Sequence, residues 1–215
     1  MDSNKVTGLS MIIAPVVAIL GWLVIGMAVL GGASAGDPAK WIAELGDNNE
    51  VVKYAFPLIT VLFLIGIFGL NTVKNSMEGG SGYLLAGFGF FLVALGSAAQ
   101  LGEVAFTVAT AEASHSGDMA LASSMFAGAQ AAGAIATFTT WVGIFFFGIG
   151  ILQQKNFTPI LGGLMIVIGI FGTLVSLIDY ESPLMMIGYL GAVVSLVWIG
   201  ISTLTQKESS ASKAA

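Results

Sequence analysis

The chain has 215 residues, of which 56% are hydrophobic and 9% charged, with a net charge of −5. A soluble domain carries about 25% charged residues, so this chain is too poor in charge to cover a water-facing surface. It has no cysteine and no arginine, which excludes disulfides, thiolate catalysis, Cys-ligated zinc or iron–sulfur sites and guanidinium clamps; without a basic cluster it is not expected to bind nucleic acid.

Apolar runs recur along the chain at about 20 residues, the length that crosses a bilayer core of about 30 Å. A β-barrel would instead show alternating segments of about ten residues. The expected class is an all-α polytopic membrane protein, a compact bundle of six transmembrane helices.

The first span is expected over about 7–31, with Pro15 as a potential kink because proline removes a backbone donor. Ala33-Ser34-Ala35 has the A-x-A form of a signal cleavage site. The apolar stretch, however, exceeds the roughly 7–15 residues of a signal peptide, which favours a retained helix. In the connection 32–50, Asp37-Pro38 fits a helix start. A short interfacial helix over 38–45 would place Trp41 at headgroup level and end at Gly46, making the connection a linker lying on the bilayer, with a lid or a partner-facing surface as the functional alternative.

The second span is expected over about 51–73, and a polar loop with the turn Gly79-Gly80-Ser81-Gly82 follows. That cluster lacks the Lys-Ser/Thr ending of a phosphate-binding loop. The third span, about 83–110, is followed by a loop with Glu112, His115 and Asp118. Three potential ligands in so short a loop lack the geometry a metal needs, so a solvated loop and no metal site are expected; a single histidine also excludes bis-histidine haem. The fourth segment, about 119–153, is roughly 50 Å long as a helix, so it is expected to project, tilt or break near Gly128 or Gly133. The fifth and sixth spans are expected over about 160–178 and 184–205, joined by the turn Asp179-Tyr180-Glu181-Ser182-Pro183. Residues 206–215 read as a disordered cytoplasmic tail.

Six spans put both termini on one side. Lys5, Lys74, Lys155, Lys207 and Lys213 fall there, against Lys40 and Lys53 on the other side, and lysine-rich loops stay cytoplasmic. Both termini are therefore expected inside. Phe63–Asn71 also echoes Phe145–Gln153, which suggests either a duplicated hairpin or a chance match between apolar segments.

Polar residues inside the spans are few. On the third, Ser97, Gln100, Glu103, Thr107 and Thr110 recur every three to four residues, one helical face. On the fourth, Ser123, Gln130 and Thr137 recur every seven. Consecutive antiparallel helices pack together, so Gln100, Glu103, Thr107, Gln130 and Thr137 are the candidate residues, either as a hydrogen-bonded helix seam or as a polar path for a small solute, ion or proton, with Glu103 as carrier. No second carboxylate lies at helical spacing from Glu103, and no late mid-span lysine could hold retinal. A catalytic site and a cofactor are therefore not expected.

Thr158-Pro159-Ile160-Leu161-Gly162-Gly163, the run Val193–Ile201 with Trp198, and the early Asp37-Pro38-Ala39 resemble a prokaryotic six-helix integral membrane family of unknown function, over about half of the chain. The resemblance implies six spans and a prokaryotic cytoplasmic membrane, and brings no catalytic residues. The expected role is a non-enzymatic accessory or scaffold component of a membrane assembly. Its partners would be the lipid bilayer and other membrane subunits or further copies of itself. The alternative is a transporter running between the third and fourth spans.

Overall fold

The computed structural model describes residues 3–31, 37–154 and 157–205. Ala33-Ser34-Ala35 and the tail 206–215 lie outside the described residues. Within them the chain forms seven helices: α1 (Ser3–Leu30), α2 (Pro38–Asp47), α3 (Asn49–Asn75), α4 (Tyr83–His115), α5 (Met119–Gln153), α6 (Pro159–Asp179) and α7 (Met185–Thr205). All but α2 are long and apolar enough to cross a membrane. Large apolar side chains such as Met27, Leu84, Val167 and Ile178 stand exposed on the outward faces. Water would penalise such a surface, whereas hydrocarbon accommodates it, consistent with an integral membrane protein.

Local chemistry sets the helix ends. Pro38 opens α2 where a missing N–H goes unnoticed, and the Asp37 carboxylate accepts from the Lys40 amide at 3.1 Å. Gly46 does not end this helix: α2 runs on to Asp47, and Gly46 is buried where a Cβ would stand 2.8 Å from Cβ of Ser114. Its small size serves a close approach of α2 to α4. Gly117, at φ +83°, makes the turn between α4 and α5, and Asp118 caps α5 by accepting from the Leu121 amide at 3.0 Å.

Of the three outcomes expected for the long fourth segment, projection, tilt or a break, the break does not occur. α5 is continuous over 35 residues. A Cβ on Gly128 would stand 3.2 Å from the Phe106 ring, and one on Gly133 would stand 2.8 Å from both the Glu103 and the Tyr180 side chains. These glycines admit neighbours and leave the helix intact.

The long helices form a closed ring. α1 packs on α3, α3 on α4, α4 on α5, α5 on α6, α6 on α7, and α7 back on α1. The start of α1 meets the end of α7 at Gly8 and Gly200, and Ser81 before α4 donates to the Gln153 carbonyl at the end of α5 at 2.8 Å. Both ends of the described chain thus share one end of the bundle, called here the terminal end. α2 covers the opposite end, with Ile42 and Leu45 buried beneath it.

The middle of the ring is filled. Met11, Leu70, Val93, Trp141, Phe147 and Ile199, drawn from five helices, belong to one apolar cluster. The tightest contact, between α4 and α5, is built on glycine. A Cβ on Gly143 would stand 2.7 Å from the Gly89 carbonyl oxygen, and one on Gly150 would stand 2.6 Å from the Ala86 amide. Small residues let helix backbones approach this closely, and in lipid such packing replaces the hydrophobic drive.

Candidate functional site

Helix length sets the level of the site. α6 and α7 have 21 residues each, close to the rise of a ~30 Å core. α4 and α5 have 33 and 35, an excess of roughly 18–21 Å at 1.5 Å per residue. The α4–α5 hairpin therefore overshoots the turn between α6 and α7. Glu103 lies about 30 Å along α4 from its start, level with that turn.

Four of the five residues singled out from sequence meet at this level. Gln100, Glu103 and Thr107 of α4 and Gln130 of α5 line one cavity of about 40 Å³. Thr137 does not line it. It is buried two turns further along α5, beside Tyr189 of α7. Ser97, Thr107 and Thr110 do not bridge helices either: each hydroxyl donates to the carbonyl four residues earlier on α4, at 2.7–2.8 Å. Short hydroxyls in a helix find that local acceptor first.

Gln130 reaches past α4 to the turn after α6. Its Nε2 donates to Glu181 Oε1 at 2.7 Å, and the Tyr180 hydroxyl donates to Gln130 Oε1 at 2.9 Å. The amide thus ties α5 to the α6–α7 turn, and the α4–α5 seam is held by glycine contacts. Burial pushes the Glu181 carboxyl above the ordinary carboxylate range; the hydrogen bonds from Gln130 and Tyr180 oppose this, and the Asp179 charge adds to it. Burial, and then the Glu181 charge, likewise push the Tyr180 phenol upward, so it stays a neutral donor.

Glu103 is different. Partly buried, it presses against Gly133 across from the Tyr180 ring, and among the described residues its carboxylate has no hydrogen-bond partner. The ion pair found among those residues, Lys53–Glu112 at 3.2 Å, lies on the surface. Glu103 and Glu181 therefore line one small cavity, and none of the described residues lining it is a lysine. Its other walls are aliphatic, from Leu45, Val104 and Ala129, and aromatic: Trp22 and Phe56 meet edge to face at 5.0 Å, and Trp41 and Phe126 lie tilted at 6.2 Å. About three turns beyond Gln130 on α5, Trp141 is 1% exposed and lies 5.4 Å from the Tyr189 ring.

The loop expected after residue 110 is helical as far as His115, so Glu112 and His115 sit on the last turns of α4, and they diverge from Asp118. His115 Nδ1 lies 3.2 Å from the Gly46 carbonyl, Glu112 takes the Lys53 ammonium and Asp118 caps α5. Among the described residues no three His, Asp or Glu side chains converge on a metal position.

No family model, curated protein or solved structure matches the chain.

Sequence reasoning missed Tyr180, Glu181 and the four aromatic walls. For the first two a signal existed: in an up-and-down bundle, the acidic turn after a 21-residue helix falls at the same end as Glu103. Trp22, Trp41, Phe56 and Phe126 come from four elements, and no spacing along the chain links them.

Proposed function

We propose that the protein is a non-enzymatic accessory or scaffold component of an assembly in a prokaryotic cytoplasmic membrane, with both termini inside. The observation that carries this reading is the filled ring. Trp141, Phe147 and their neighbours occupy its centre, and backbone contacts at Gly89, Gly143 and Gly150 close the α4–α5 seam. A solute entering beside Glu103 meets aromatic and aliphatic side chains before it reaches the terminal end. The α4–α5 hairpin, which overshoots α6 and carries α2 on its flank, supplies a rigid projecting surface for a neighbouring subunit. The resemblance of the last two helices to a prokaryotic six-helix family of unknown function bears on the six-span architecture and adds nothing on mechanism.

The second reading is a small-solute, ion or proton transporter, favoured by the gathering of Gln100, Glu103, Thr107 and Gln130 around one cavity. Two measurements separate them. Purification in mild detergent is expected to give a complex larger than the chain itself. Liposomes holding the purified protein are expected to keep an imposed proton gradient as long as empty ones. Gradient loss that disappears with Glu103→Gln would establish the transporter and overturn the scaffold reading.

A further inference from the structure

The cavity has a ligand preference written into its walls, whatever assembly the protein serves. Glu103 and Glu181 both line a space of about 40 Å³. Glu181 Oε1 already accepts from Gln130 and Tyr180, whereas the Glu103 carboxylate has no hydrogen-bond partner among the described residues. Trp22, Trp41, Phe56 and Phe126 line it too, with Leu45, Val104 and Ala129. Aromatic faces attract cations through the ring quadrupole, most strongly where water is excluded, and a charge-assisted hydrogen bond needs an N–H donor. A primary ammonium supplies three such donors, whereas a quaternary ammonium supplies none. Phe126 and Gln130 also border a second space, a groove of about 570 Å³ between α2 and α5 lined by Ile42, Met119 and Ser123. The groove is mostly apolar and shares Phe126 and Gln130 with the cavity.

We infer that this paired cavity and groove bind a small primary amine, its ammonium group held by Glu103 and Glu181 among the aromatic rings and its short apolar tail lying in the α2–α5 groove. The ligand is a free amine and not an ethanolamine lipid. A lipid headgroup would bring a phosphate beside its ammonium, against two carboxylates and with no arginine in the chain to receive it.

The test is a fluorescence titration of the purified full-length protein in nanodiscs of fixed ionic strength, since Trp22 and Trp41 stand in the cavity wall. Butylammonium is expected to give a saturable change, with an affinity at least tenfold above that of 1-butanol, sodium or butyltrimethylammonium. Equal responses to any of these three would overturn the proposal. Affinity is expected to be the same in phosphatidylethanolamine and phosphatidylcholine discs; a loss confined to the former would overturn the choice of a free amine. Glu103→Gln, shown to be folded by an unchanged elution volume, is expected to weaken binding at least tenfold, and unchanged binding would sink the idea. Should that variant not fold, Ser123→Trp fills the groove away from both carboxylates. It is expected to weaken butylammonium at least fivefold and leave methylammonium unaffected; an equal effect on both, or none on either, contradicts the assignment.

Discussion

At the scale of single residues, what a glycine touches separates those that hold the bundle from those that do not. A side chain at Gly143 must displace the Gly89 carbonyl and the Val93 amide, which belong to backbone and cannot swing away, whereas Gly163 has nothing within 4 Å. Gly143→Val is therefore expected to destabilise by about 1–3 kcal/mol or more. Gly163→Ala in α6 is expected to be neutral or to gain up to about 1 kcal/mol, through helix propensity alone. Thermal unfolding of both variants in the same detergent checks the contrast. Glu181 gives a prediction in pH. Its carboxyl sits above its ordinary value of 4.5 in the folded protein because of burial, so the folded state holds the proton more tightly than the unfolded chain. The stability this contributes is fully present below the unfolded value and lost as pH rises through the folded one. The apparent melting temperature is expected to fall as pH rises from about 4.5, and Glu181→Gln, which keeps an acceptor for Tyr180 and Gln130, is expected to flatten that fall. An unchanged slope in the variant would show that Glu181 does not carry it.

At the scale of elements, α2 was half legible from sequence. Asp37-Pro38 marks its start by a rule that needs no tertiary information, and the capping bond to the Lys40 amide is there. Gly46 misleads, because a glycine near a helix end reads as a stop until one sees that Ser114 occupies the space its side chain would need. Asp37→Ala is expected to cost about 0.5–2 kcal/mol and to show first as faster hydrogen exchange over 38–47, with α4 unaffected. The long α5 misled in a related way: Gly128 and Gly133 look like weak points in a chain, but a helix backed along its length by α4 and α6 has no reason to break at either. The polar faces were legible as faces and not as partners. Seven-residue spacing identifies Gln130, but its partners Tyr180 and Glu181 lie 50 and 51 positions away, beyond the reach of any periodicity. Lys53–Glu112 is an exposed pair, so Lys53→Ala is expected to change stability by less than about 1 kcal/mol, measurable in the same unfolding assay.

At the scale of the whole molecule, composition alone conveys the class, because 9% charged residues cannot clothe a soluble protein of this length. The closure of six helices into a ring, with α1 against α7, could not be read that way. It depends on Gly8 and Gly200 meeting across nearly the full chain. The filled ring divides the molecule into two halves. One is a dry half toward the terminal end, built on Trp141, Phe147 and the glycine seam. The other is a small polar chamber at the level where α6 ends, beneath the overshooting α4–α5 hairpin. The absence of cysteine makes this division directly measurable, since any thiol introduced is the only one present. Ser97 is buried in the seam, whereas Ser123 stands exposed in the α2–α5 groove. Single variants Ser97→Cys and Ser123→Cys, reconstituted in liposomes, are to be treated with a membrane-impermeant maleimide from each side in turn. Ser123→Cys is expected to be labelled from one side, and Ser97→Cys from neither until the protein is unfolded. Labelling of Ser97→Cys in the native protein, from either side, would mean that water reaches the seam, and would contradict the filled ring on which the scaffold reading rests.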